Sequence, residues 1–379
     1  MTMLDTVILH IPREKVFEIG NLGGIQQWDL HSSTSAYKKY VKNPPRGLED
    51  GIYRPKLTGM IKKVGGGVSS FLRIEFSVAK MLFGNNFQEV VEADFQAVVD
   101  RLAERLLEAG ILIKKPDIIN AIAHGVHPSK NIILSDSYTA SLVAKELSKI
   151  NLNKKFDLTK TTFKNDGQSL QGYTISHSVV FYDKIADLAK TKKRAIDKDQ
   201  SPQQLSLFAA IKKESRSLEV LRFEVRICRK QKLDAVLRKL GFQKDATFKD
   251  IFKKDVCQKI VRFYWDMLVK GENLFLFGLS EKPQPQLKTI LAKENGIKPK
   301  EAVFLIGLDS LCKDDGGIRG LRNILERHTK QRNWYRFSDS IKRLNRLQDK
   351  RAVYSWVRQI ESAIDRFEPI RSIAGLSAP

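Results

Sequence analysis

Cysteine is scarce in this chain, and Cys228, Cys257 and Cys312 form no C-x-x-C or Cys/His zinc spacing. Neither a disulfide framework nor a structural zinc site is expected, and the thiols read as buried and inert. No window offers the ~18 uninterrupted apolar residues of a spanning helix, no cleavable signal opens the chain, and no Walker A loop is present. These absences set aside spanning proteins and P-loop nucleotidases and point to the cytoplasm. Acidic residues are also in short supply: 43 Asp and Glu stand against 66 Lys and Arg, a formal charge of +23 over 379 residues. The bases are interleaved with apolar segments, which describes folded domains with basic surfaces rather than a cationic tail. A polyanion is the natural partner, with a ribosomal or membrane-surface protein as the plainer reading.

What is present reads as an α+β chain. Thr6–Ile11 is an opening strand, and the polar stretch from Asp29 to Glu49 reads as loop with at most a short helix. Strands around Tyr53–Lys63 and Ser70–Val78 are joined by Gly65-Gly66-Gly67 as a hairpin. Phe95, Val98, Val99, Leu102 and Leu106 recur at helical spacing, so 92–109 is an amphipathic helix. Then come a strand at Ile122–Leu134, a helix at Ser137–Lys149, and strands at Phe156–Lys164 and Leu170–Tyr182 around an Asn165-Asp166-Gly167 turn. A lysine-rich helix at Ile185–Arg194 and a strand at Leu218–Ile227 follow. Beyond Gln231 the spacing turns helical, as in Ile260, Phe263, Tyr264, Met267 and Leu268. The expected architecture is a mostly antiparallel central sheet with packed helices over 1–240, followed by an α-helical domain over 241–379.

Side-chain alternation sorts the chemistry. In Leu218–Ile227, Leu221, Phe223, Val225 and Ile227 share one face, while Arg222, Glu224 and Arg226 share the other. In Phe71–Val78, Arg73, Glu75 and Ser77 form the polar face. If these strands share a sheet, Glu75 and Glu224 converge on one divalent cation, Mg²⁺ or Mn²⁺, with His127 as a neutral third ligand. Ordinary solvent-facing alternation is the competing explanation, and for His127 a structural histidine. Lys130, close by, is placed to touch phosphate. Tyr182 shares strand parity with Lys184, a phenol beside an ammonium, which suits phosphoryl chemistry, although most strand tyrosines only pack. Lys190, Lys192, Lys193 and Arg194 form a candidate ridge against a DNA backbone. Arg332, Trp334, Tyr335 and Arg336 open a helix that reads either as a DNA-recognition helix or as an aromatic anchor on its own core.

The segments LRIEFSVAKMLFGNNF, GVHPSKNI, SHSVVFYDK and LRFEVRI, in this order, resemble the gene II-type replication proteins of filamentous phages and related phage and plasmid rolling-circle initiators. The resemblance spans roughly residues 1–240 and is loose around NWYRF. It implies that Tyr182 is the nicking tyrosine of a Y-x-K motif assisted by Lys184, and that Glu224 of R-F-E-x-R, between Arg222 and Arg226, belongs to the catalytic centre. Glu75 matches another acidic strand position. At GVHPSKNI, relatives carry an acidic residue where His127 stands. The implied activity is site-specific nicking of origin DNA, double- and single-stranded, through a 5′-phosphotyrosine, with strand rejoining and with a host polymerase and helicase as partners. The implied C-terminal role is DNA binding of helix-turn-helix type. A non-catalytic DNA-binding regulator or partition protein, and a tyrosine transposase or relaxase, are the alternatives.

Overall fold

The computed structural model describes residues 4–18, 37–42, 52–64, 67–150, 156, 162–164, 169–189, 218–270, 273–279, 282–294, 296–329, 332–347 and 352–371. Eleven strands lie among them: β1 (Leu4–Pro12), β2 (Phe17–Glu18), β3 (Tyr37–Lys42), β4 (Lys56–Val64), β5 (Gly67–Ser77), β6 (Ile111–Leu112), β7 (Ile122–Ile133), β8 (Thr162–Lys164), β9 (Ser169–Tyr173), β10 (His177–Asp183) and β11 (Val220–Ile227). Nine form one sheet in the order β3-β4-β5-β1-β7-β11-β10-β9-β8, with every pairing antiparallel. The class is α+β, as the patterning predicts.

One sheet face is apolar because alternate residues of each strand point to it. Leu72, Ile74 and Phe76 of β5, Val7 and Leu9 of β1, and Phe223, Val225 and Ile227 of β11 are all buried there. Phe181 of β10 stacks on Phe223 at 4.6 Å, and Trp265 meets both rings edge-on. Each such ring contributes roughly 1.5–3 kcal/mol through burial. Trp265 ends the helix Lys254–Trp265, which packs on β7 and β11, while the helix Ser355–Arg366 packs on β7. The apolar core therefore passes from the sheet into residues beyond 240 without a break. The helices Pro283–Lys293, Pro299–Lys313, Gly317–His328 and Arg332–Leu347 pack on one another further along.

The amphipathic helix is Phe95–Glu108, burying Val98, Val99, Leu102 and Leu106 as its spacing predicts. Two elements differ from expectation. Tyr37–Lys42, read as loop, is an edge strand on β4. The strand expected over Leu170–Tyr182 is two strands, because the Thr174 hydroxyl accepts from the amides of Ser176 and His177 and turns the chain back. The expected helix at 185–194 is described only as Lys184–Ala189.

Two β-bulges interrupt the pairing of β1 with β7. Between Leu4 and Thr6 the register slips at Asp5; between Ile8 and Leu9 it slips at His124, since Ile8 faces Gly125 and Leu9 faces Ala123. A bulge inserts one residue and re-aims its side chain. By strict alternation, Asp5 would join Val7 and Leu9 in the core, and His124 would join Val126.

Candidate active site

The polar face of the four central strands β1, β7, β11 and β10 carries the candidate chemistry. The register sets His127 opposite Thr6, Ser129 opposite Glu224, and Asn131 and Tyr182 on either side of Arg222. All these side chains share one face. Asp5 joins them through its bulge.

Asp5, His127 and Glu224 each bring one ligand atom within 4.8 Å of the other two, a set that can hold a metal ion. His127 Nδ1 is 3.6 Å from Glu224 Oε1. Burial holds the imidazole below its usual pKa, against the pull of Glu224, so it is neutral and has a lone pair to offer. Burial pushes the Glu224 carboxyl up, but the Arg226 guanidinium beside it dominates together with Arg222, so it stays ionised. Arg226 bonds both Glu224 oxygens, at 2.9 and 3.0 Å. A carboxylate accepts at about four lone-pair sites, so this pairing leaves room for a cation.

Glu75 stands apart from this set. It faces the same side as Glu224, but β1 and β7 lie between them, and its carboxylate pairs with Arg73 at 2.8 Å. The carboxylate position expected for Glu75 beside Glu224 and His127 is filled by Asp5. The only sequence signal for it is an aspartate inside a mostly apolar strand, and alternation assigns that aspartate to the wrong face.

Arg222 is the hub. Its guanidinium is almost fully buried and donates to Asp5 Oδ1 at 2.6 Å, Ser129 Oγ at 2.8 Å and the Asn86 carbonyl at 2.7 Å. Its Nε is buried and has no partner among the described residues.

Tyr182 is half-buried next to Arg222, and its hydroxyl makes no hydrogen bond among the described residues. Burial raises its pKa well above the usual value; Arg222 pulls the other way, and Glu224, Asp187 and Asp5 add to the rise. Lys184 does not continue the strand, as shared parity would require; it begins the helix Lys184–Ala189. Its ammonium nonetheless lies 5.7 Å from the Tyr182 ring centre and donates to Asn86 Oδ1 at 2.8 Å. Burial, then repulsion from Arg222, lowers its pKa to about 7. A lysine poised there can exchange a proton at neutral pH.

Lys130 is not a phosphate contact. Beyond Pro128, β7 loses β1 as a neighbour, and the Glu89 carboxylate occupies that edge, accepting from the amides of Asn131 and Ile370. Lys130 is buried against Glu89 at 2.9 Å, too enclosed to reach DNA. Cys228, expected to be buried, is exposed, with its sulfur 3.7 Å from His127 Nε2; Cys257 and Cys312 are buried.

Lys190, Lys192, Lys193 and Arg194 lie outside the described residues. Arg332 opens the helix Arg332–Leu347. Trp334 is buried under the Arg322 guanidinium, 5.3 Å from its ring centre, so it anchors the helix and does not enter a groove. Tyr335 and Arg336 are exposed. Among the described residues no helix is long and apolar enough to cross a membrane. Comparison with protein-family models, curated proteins and solved structures finds no match to this chain.

Proposed function

We propose that the chain initiates rolling-circle DNA replication by nicking one strand of an origin through Tyr182 and later rejoining the displaced strand. The observation that carries the reading is the meeting of a phenol, the buried Arg222, the partly exposed Arg226 and an Asp/His/Glu set on one face of four adjacent strands. The phenolic oxygen attacks the scissile phosphorus, and the bond from phosphorus to the 3′ oxygen breaks. Lys184, whose pKa near 7 leaves part of it as the free amine at neutral pH, receives the phenolic proton in that form, and the leaving 3′ oxygen takes one from solvent. The product is a 5′-phosphotyrosine and a free 3′-hydroxyl, the end that a host polymerase extends while a helicase unwinds ahead. The phosphodiester energy is retained in the adduct, so the same site can close a circle without a nucleoside triphosphate.

A divalent cation held by Asp5, His127 and Glu224 would neutralise phosphate charge. The imidazole in the set favours Mn²⁺, and the two carboxylates accommodate Mg²⁺. Arg222 and Arg226 hold the carboxylates in place and add positive charge where the phosphate would lie. The net charge of +23 supplies attraction for DNA in a bacterial host cytoplasm.

The test is incubation with labelled single-stranded oligonucleotides spanning candidate origins, plus Mn²⁺ or Mg²⁺. The expected result is a denaturant-resistant adduct that is lost in Tyr182→Phe. Intact oligonucleotide with retained binding identifies a DNA-binding regulator instead. An adduct formed only on transposon ends or a transfer origin identifies a transposase or relaxase.

A further inference from the structure

Next to the Asp/His/Glu set, on the same sheet face, lies an open cavity of about 850 Å³. It abuts the site directly: Cys228 lines it, and the Cys228 sulfur is 3.7 Å from His127. Its wall holds a stack of three rings. His10 lies between Phe71, at 4.2 Å and 22°, and His124, at 3.3 Å and 13°. The bulge at His124 makes this stack, since an unbulged β7 would send that ring into the core. Four basic side chains, Lys15, Arg73, Arg229 and Lys230, and one acidic side chain, Asp117, also line the cavity; Lys15 pairs with Asp117, Arg73 with Glu75, and Lys230 with Asp234 and Asp245. Arg229 is exposed and has no ion pair among the described residues.

From this geometry we infer that the cavity receives an unpaired nucleobase of single-stranded DNA, stacked on the Phe71–His10–His124 rings, with its phosphates along the basic rim. The inference rests on the nicking reading for the identity of the strand. Parallel rings present π-faces to which any base can add at about 1–3 kcal/mol, while lysine and arginine track the backbone. A dry apolar ligand would not need the basic rim, and a simple anion would not need the rings. The stack is also uncharged at neutral pH, because burial, aided by neighbouring cationic groups, lowers the pKa of His10 to about 2 and of His124 to about 4. Neutral imidazoles tolerate this close parallel contact where two cations would repel. Such a pocket holds a nucleotide flanking the scissile phosphate and so selects melted over duplex DNA.

The experiment titrates the full-length Tyr182→Phe chain with a short single-stranded oligonucleotide carrying 2-aminopurine, whose fluorescence is quenched on stacking. Saturable quenching is expected. His124→Ala and Phe71→Ala should each relieve it and weaken binding roughly tenfold, while His124→Phe, which keeps a ring, retains it. Thermal melting of each variant checks that the fold is intact. Unchanged quenching in both alanine variants overturns the pocket, as does failure of the oligonucleotide to bind. Equal quenching by free 2-aminopurine nucleotide overturns it too, by identifying a mononucleotide site. Adduct formation by the chain with Tyr182 intact is scored separately. Quenching without an adduct keeps the pocket and removes the nuclease; an adduct with ring-independent fluorescence does the reverse.

Discussion

The polar face of the sheet has two unlike ends. At one, the buried Arg222 pairs with Asp5 and the buried Glu224 pairs with Arg226, with Asn86 and Ser129 adding hydrogen bonds. At the other, Phe71, His10 and His124 stack as neutral rings beside an open cavity. Both are built the same way, by a β-bulge that turns one residue out of the core. The difference is in what balances burial: opposite charge at the first end, loss of charge at the second. The first suits a phosphate and a cation, and the second suits a planar base.

The largest break in this comparison is expected from Arg222→Met. Asp5 would keep a buried charge without its partner, and removing one member of such a pair costs about 3–5 kcal/mol. Denaturant unfolding should show that loss, and a change below about 1 kcal/mol would mean Arg222 is not the hub. Next in size is cation binding. Mn²⁺ at about 100 times its Kd should add about 2.7 kcal/mol to the stability of the protein. Asp5→Asn should abolish that gain and Glu75→Gln should leave it, a contrast read by thermal melting with and without the ion.

Gly125 sits on the strand between the two ends. A Cβ there would meet the Ile227 carbonyl at 2.7 Å and Ile8 Cδ1 at 2.8 Å. Gly125→Ala should therefore cost about 1–3 kcal/mol by forcing β7 away from its neighbours, measured by the same unfolding curves.

The smallest effect is a pH dependence, to which the largely buried imidazole of His127 at the first end adds in the same direction as the two stacked histidines. His10 and His124 are held neutral in the fold but take up protons in the unfolded chain near the ordinary value of 6.5. Between about pH 6.5 and 4 the unfolded state thus binds more protons, and stability falls as pH is lowered. Glu224 is held below its usual pKa, so its contribution persists until more acidic conditions. Stability measured from about pH 7 to 5 should fall in the unsubstituted protein and fall less steeply in His124→Phe. Identical slopes would place the titration elsewhere.

Much of this is legible in the sequence. Alternation in LRIEF and LRFEVRI puts the carboxylates on polar faces, and β5, β7 and β11 lie close to where the patterning expects them. What escapes is non-local. A bulge is set by the partner strand, so alternation sends Asp5 to the core and leaves the His124 stack invisible. Lys130 looks free until Glu89, 41 residues away in sequence, meets it. Trp334 looks available until Arg322 and the helical core cover it. The turn at Thr174–Ser176 is hidden because small polar residues there also fit a strand.

Mass spectrometry of nuclease-digested protein after reaction with a single-stranded origin and Mn²⁺ tests the central claim most directly. A nucleotide phosphate carried on Tyr182, and nowhere else, is the predicted result. A modification on another residue, or none while the DNA is cut, would contradict it.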